Sequence, residues 1–107
     1  MAVVEVTIVP LGTSTPSISR YVAACHAILA ETDDLKYELT PMSTIIEGEL
    51  TLILEVIKKM HEVPFAQGAK RVSTSIRIDD RRDKPVTMQG KVKAVKDKLK
   101  EAGQYGE

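Results

Sequence analysis

Tryptophan is absent from this chain, phenylalanine and cysteine occur once each, and aromatic residues make up only 4%. So few rings leave little for stacking on bases, and 15 acidic residues balance 15 basic ones, which gives no positive surface for nucleic acid. The single cysteine, Cys25, cannot form an internal disulfide, which indicates a reducing compartment. No apolar run approaches the about 20 residues of a membrane span, and the amino terminus lacks the basic start of a signal peptide. The composition predicts a cytoplasmic protein without nucleic-acid or membrane partners.

Motifs for catalysis and metal binding are also missing. The chain contains no His-Glu-x-x-His, no Cys-x-x-Cys, no nucleophile elbow and no Gly-x-Gly-x-x-Gly. His26 lies off the apolar stripe of its predicted helix and has no second ligand near it in sequence, so we expect a solvated side chain rather than a metal ligand. Cys25 falls on that stripe and is expected to be buried as a small hydrophobic residue. These features select no catalytic constellation and predict no metal site.

Alternating and helical hydrophobic patterns divide the 107 residues into seven elements of one domain, residues 1–107. The order is strand, helix, strand, strand, helix, strand and a C-terminal helix. The predicted bounds are Ala2–Pro10, Ser17–Glu31, Leu35–Met42, Ser43–Gly48, Leu50–Val63, a strand from Arg71 and a helix after Pro85. This βαββαβ order predicts an α+β, ferredoxin-like fold, with an antiparallel sheet, two helices on one face and an additional helix at the end.

The last predicted strand, RVSTSIRIDDRRD, has one apolar and one polar face. We expect the apolar parity to face the helices, which places Val72, Thr74, Ile76 and Ile78 towards the core. The opposite sheet face is polar, and it is either exposed to solvent or covered by a second subunit. The C-terminal helix also carries an apolar stripe that needs a partner, and a neighbouring subunit is one candidate.

Glu47 lies in a short apolar run just before a glycine, where a buried carboxylate must be paired or hydrogen-bonded. One interpretation is a salt bridge to an arginine such as Arg71 or Arg81. The other is recognition of a cationic or amino-bearing ligand, and the two are compatible. The charges from Asp79 to Asp83 are either a solvated strand end or part of the same site.

Four segments together resemble the thiamine-binding protein family: IVPLGTSTPSISRYVA, YELTPMSTIIEGE, KKMHE and RVSTSIRIDDRRDK. The resemblance covers about Val3 to Leu99, and the combination is specific although each segment alone is weak. It implies a ferredoxin-like fold assembled into homodimers or homotetramers. It also implies binding of thiamine or its hydroxymethylpyrimidine moiety, without a cofactor and without catalytic activity.

Thiamine carries a cationic thiazolium and an aminopyrimidine, so the matching residues can be assigned roles. A carboxylate can accept from the exocyclic amine, hydroxyls can orient the rings, and apolar side chains can pack on them. The predicted ligand-binding residues are Thr13, Ser19, Met42, Thr44, Glu47, Arg71, Asp79 and Arg81. Two other functions are alternatives to thiamine binding. One is an enzyme acting on a small anionic substrate, with arginines as the anion site. The other is a structural or regulatory oligomer without a small-molecule ligand.

Overall fold

The residues that the structure describes form one four-stranded antiparallel sheet and three helices. The structure, a computed structural model, describes residues 1–12, 19–84 and 87–103. The elements are β1 (Ala2–Leu11), α1 (Ser19–Ala30), β2 (Lys36–Leu39), β3 (Thr44–Gly48), α2 (Leu50–Ala66), β4 (Arg71–Asp80) and α3 (Met88–Glu101). The strands lie in the order β2-β3-β1-β4, and all neighbours are antiparallel. The predicted α+β fold, with βαββαβ order and a C-terminal helix, is confirmed.

One face of the sheet forms the hydrophobic core with α1 and α2. Val4 and Val6 of β1 and Ile46 of β3 are at most 2% exposed and lie on this face, because cross-strand partners share a side. The helices contribute their apolar stripes to the same cluster: Cys25, Leu29, Ile53, Val56, Ile57 and Met60. Cys25 is 4% exposed, so its predicted burial is confirmed.

The β4 strand lies at the sheet edge, and its position limits how far it is buried. Ile78 pairs with Val4 and Ile76 pairs with Val6, so the apolar parity does face the helices, as predicted. Both isoleucines are nevertheless 44% exposed. An edge strand has a neighbour on one side only, so part of its inner face stays in contact with solvent.

Two elements continue beyond their predicted ends, which lay at Pro10 for the first strand and just before Pro64 for the second helix. At Pro10, β1 pairs with β4 alone, and a strand with one unpaired side tolerates a residue that cannot donate to the ladder. α2 continues through Pro64 to Ala66, although a proline cannot donate to the carbonyl four residues earlier. That carbonyl belongs to Met60, and it accepts a hydrogen bond from the Cys25 thiol, with Sγ 3.5 Å from the oxygen. Cys25 therefore joins α1 to α2 through a group that Pro64 leaves free.

α3 contacts the other face of the sheet. Its N-cap is Thr87, whose hydroxyl accepts from the Gly90 amide at 2.8 Å. Glu47 and Asp79, which share the face opposite the core, bond to Met88 and Lys91 of α3. No residue of α3 is buried, and Val92 and Val95 are 53% and 58% exposed.

Candidate functional site

A cleft of about 740 Å³ opens beside β1 because the strands differ in length. β1 has ten residues and β3 has five, and their pairing stops at Val6 opposite Thr44. Along a strand, the backbone amides and carbonyls point alternately to the neighbour on one side and the neighbour on the other. Beyond Val6, the backbone groups of β1 that point away from β4 therefore face open space instead of β3. α1 and the β2–β3 turn enclose this space. Its walls are Val6, Thr7, Ile8, Ser19, Val22, Ala23, His26, Leu39, Thr40, Pro41, Met42, Ser43 and Thr44.

A hydrogen-bonded pair, His26 and Thr44, lies in the cleft wall. Nε2 of His26 is 2.9 Å from Oγ1 of Thr44, which is 7% exposed. The imidazole also meets the Tyr37 ring edge-on, with ring centroids 5.6 Å apart. Burial lowers the pKa of His26 below its usual value, because charge is disfavoured away from water. The lowered pKa favours the neutral imidazole, in which one ring nitrogen donates while the other accepts.

The β2–β3 turn forms the outer wall and is held by its own side chains. The Thr40 hydroxyl donates to the Ser43 carbonyl at 2.9 Å and accepts from the Ser43 amide at 3.0 Å. The Ser43 hydroxyl donates to Glu5 Oε2 at 3.0 Å, which ties the turn to β1. These bonds position Met42, which is 84% exposed, at the rim of the cleft.

The cleft wall contains no acidic side chain and no lysine or arginine among the described residues. Apolar groups dominate it, with the polar atoms supplied by hydroxyls, the imidazole and the backbone. Such a surface suits a small, largely apolar molecule with a few hydrogen-bonding atoms. It offers no fixed cation for a phosphate.

The buried carboxylate of Glu47 bonds to a backbone amide of α3 rather than to an arginine. It is 4% exposed and accepts from the Met88 amide at 3.1 Å, at the first residue of α3. Within the described ranges no arginine lies within salt-bridge distance of it. A carboxylate at a helix N-terminus satisfies a free amide and interacts favourably with the helix dipole. Glu47 therefore anchors α3 to the sheet.

No group of three or more acidic, histidine or cysteine side chains in residues 1–12, 19–84 and 87–103 is placed to hold a metal ion. None of the helices in that part of the chain is long and apolar enough to cross a membrane.

Known proteins resemble this chain over most of its length. The family model described as thiamine-binding protein matches residues 4–96. The UPF0045 protein YqgV of Bacillus subtilis is 54% identical over 99 residues, 89% of this chain and 94% of that protein. The chain belongs to the thiamine-binding protein family. Among solved structures, hypothetical protein MJ1052 of Methanocaldococcus jannaschii has a TM-score of 0.79 at 38% identity, covering 88% of this chain and 94% of that one. A candidate thiamine biosynthesis/salvage protein of Thermotoga maritima has a TM-score of 0.71 over 88% and 97% of the two chains, and at 23% identity this likeness concerns the fold alone.

The structure separates the residues that the thiamine-binding family motifs predicted for the ligand. Ser19, Met42 and Thr44 come together in the wall of the cleft. Glu47 and Asp79 lie on the opposite sheet face beneath α3. Thr13 lies outside the described residues.

The two predicted arginines lie away from the cleft wall. Arg71 begins β4 opposite Leu11, and Arg81 follows the far end of that strand. Arg81 forms a two-bond ion pair with Asp83, at 2.6 and 2.9 Å, and both side chains are well exposed. Exposed pairs of this kind contribute little to stability, so the charged strand end is largely a solvated one.

His26 lines the cleft although it was not predicted as a site residue, because its side chain was expected to be solvated. A signal for it was present in the helical spacing. Ser19, Val22, Ala23 and His26 recur at i, i+3, i+4 and i+7, which places them on one face of α1, and all four line the cleft. This second stripe lies beside the core stripe that contains Cys25.

Proposed function

We propose that the protein binds thiamine or its hydroxymethylpyrimidine moiety in the cleft between α1 and the β2–β3 turn, without catalysing a reaction. The observation that carries this proposal is an uncharged, largely apolar cleft of about 740 Å³ with the His26–Thr44 pair in its wall. Small-molecule sites usually measure about 300–1,000 Å³ and have this mixture of apolar walls and few polar groups. Membership of the thiamine-binding family supports the choice of ligand.

The aminopyrimidine suits the polar groups of the cleft. Its ring nitrogens and exocyclic amine need both donors and acceptors, which the hydroxyls of Ser19 and Thr44, the His26 ring and the unpaired backbone edge of β1 can supply. Because burial favours the neutral form of His26 by lowering its pKa, the neutral imidazole does not repel the cationic thiazolium. The absence of lysine and arginine from the described wall favours thiamine over its phosphate esters.

Isothermal titration with thiamine and with hydroxymethylpyrimidine tests the proposal directly. Thr44→Val removes a hydroxyl while preserving shape, and His26→Ala removes the imidazole. Each is expected to weaken binding by about tenfold or more, the effect of one lost hydrogen bond in a buried site.

The matched control is His61→Ala. His61 lies on α2, and its Nδ1 is 2.7 Å from Thr74 Oγ1, with the Phe65 ring edge-on at 5.5 Å. It repeats the environment of His26 outside the cleft, so its loss should leave affinity unchanged. No heat and no thermal shift at millimolar ligand would refute the proposed function, and equal losses in both histidine variants would refute the assignment of the site.

We also propose that the protein works as a homodimer or homotetramer in the cytoplasm. The apolar stripe of α3 supports self-association, because Val92 and Val95 are more than half exposed and no α3 residue is buried. The free, buried thiol of Cys25 fits a reducing compartment. Light scattering with Val95→Lys should show a smaller particle, while Ala94→Lys, an exposed α3 position off the stripe, should not. A wild-type monomer at micromolar concentration would contradict the proposal.

A further inference from the structure

A small cavity of about 30 Å³ extends the cleft into the core. The two spaces share Val6, Ile8, Val22, His26 and Thr44 in their walls. The cavity adds Cys25 and Met60, which are 4% and 1% exposed. It is therefore the deep end of the cleft, and the His26–Thr44 pair lies where the two meet.

The volume suits one small group, either a water molecule or a methyl group. A buried water needs two to four polar partners. Here Nε2 of His26 and Oγ1 of Thr44 bond to each other, and the Cys25 thiol donates to the Met60 carbonyl. No buried side-chain nitrogen or oxygen within the described ranges lacks a partner. The remaining walls are valine, isoleucine and methionine side chains, so the cavity favours an apolar group.

We propose that this cavity takes the C2 methyl group of the pyrimidine ring, and that Val22 in its wall sets the size of the accepted substituent. This inference rests on the proposed function. C2 and C5 lie opposite each other across a pyrimidine ring, so a methyl group seated in the cavity directs the C5 substituent outwards. That substituent is the hydroxymethyl group or the thiazolium-bearing methylene, and it reaches the open rim at Met42. One seat for the methyl group therefore admits both ligands.

Three pyrimidines that differ only at C2 test the seat by titration: the 2-methyl compound and its 2-hydrogen and 2-ethyl analogues. The 2-hydrogen analogue should bind about tenfold more weakly, at the low end of the effect of one missing carbon in an apolar pocket. The 2-ethyl analogue should also bind at least tenfold more weakly, because packed walls do not expand without cost.

Substitutions at Val22 change the cavity while preserving the Cys25–Met60 bond. Val22→Ile should shift preference towards the 2-hydrogen analogue, and Val22→Ala towards the 2-ethyl analogue, each by about tenfold relative to the wild type. Val63→Ile, on α2 and outside both spaces, is the control and should keep the wild-type order.

The outcomes separate the two proposals. If all three pyrimidines bind with equal affinity, or if the Val22 variants keep the wild-type preferences, the cavity does not bind the C2 methyl group. Either result would leave the proposed binding of thiamine intact. Failure of the wild type to bind any of them or thiamine would overturn the proposed function and the methyl seat together.

Discussion

Glu47→Gln is expected to weaken the attachment of α3 to the sheet. The wild-type carboxylate is 4% exposed and accepts from the Met88 amide at 3.1 Å. Glutamine preserves the size and one acceptor but removes the charge that favours a helix N-terminus, and it adds two donors that must find partners in a buried place. Hydrogen bonds to charged groups contribute about 1.5–3 kcal/mol and a partly buried charge at a helix end up to about 2 kcal/mol. Because glutamine retains part of the bond, we expect a loss of about 1–2 kcal/mol.

Hydrogen exchange of the α3 amides measures this loss locally, and urea unfolding measures it globally. A loss of 1–2 kcal/mol should speed exchange in α3 about 5- to 30-fold. Glu38→Gln is the matched control, since Glu38 is exposed and lies on the same sheet face, opposite Ile45. It makes the same charge change and should leave α3 exchange as it is. If the two variants exchange alike, the Glu47–Met88 bond does not hold α3 to the sheet.

Three further changes have defined expectations. Gly48→Ala would place a Cβ 2.4 Å from Leu35 Cδ2 and should lower the free energy of unfolding in urea by about 1–3 kcal/mol. Leu35→Ala removes the clashing atom, so the double variant should lose less stability than the sum of the two single losses. Losses that simply add would show that the two residues do not clash. Burial lowers the pKa of His26 in the folded protein, so as the pH falls the imidazole is protonated in the unfolded chain before it is protonated in the folded one. As the pH falls below about 6.5, the ordinary histidine pKa, the free energy of unfolding should therefore decrease more steeply for the wild type than for His26→Gln. The same pH dependence of stability in both proteins would contradict this. Burial raises the pKa of the Cys25 thiol, so a thiol reagent at pH 8 should label it only as fast as the chain opens, and rapid labelling of the folded protein would show that the thiol is accessible.

The parts of the fold that follow from local pattern could be predicted. Alternation and helical stripes identify all seven elements, and they place Val4, Val6 and Ile46 on the core face. β2, predicted to reach Met42, ends at Leu39, because Thr40 and Ser43 bond to each other in a turn. β1 and α2 run past Pro10 and Pro64, because whether a proline ends an element depends on what its neighbours bond to. β1 has an unpaired side at Pro10, and the Met60 carbonyl finds the Cys25 thiol. Neither the unpaired side of β1 nor the Cys25 thiol can be recognised from the sequence around the proline.

The candidate site was predicted only in part, for a related reason. Ser19, Met42 and Thr44 line the cleft, whereas Glu47 and Asp79 contact α3 on the far face. Residues in one motif need not share a site, because alternate strand residues point to opposite faces. Thr44 and Glu47 are three apart in β3, so one faces the core side and the other faces α3. A motif that spans both faces combines a residue of the cleft with one that holds the fold.

The cleft arises from a mismatch in length and from the two faces of one helix. β3 ends its pairing at Thr44 while β1 continues to Leu11, so the fold leaves a gap that no single residue creates. α1 closes the gap with its second stripe, and its first stripe fixes the helix in the core. Cys25 and His26 are adjacent in sequence and belong to these two stripes, so the thiol that bonds α2 at Met60 also holds the neighbouring imidazole in register with Thr44. Changes at the buried thiol should therefore alter the cleft wall through the position of His26, as well as the small cavity that Cys25 itself lines.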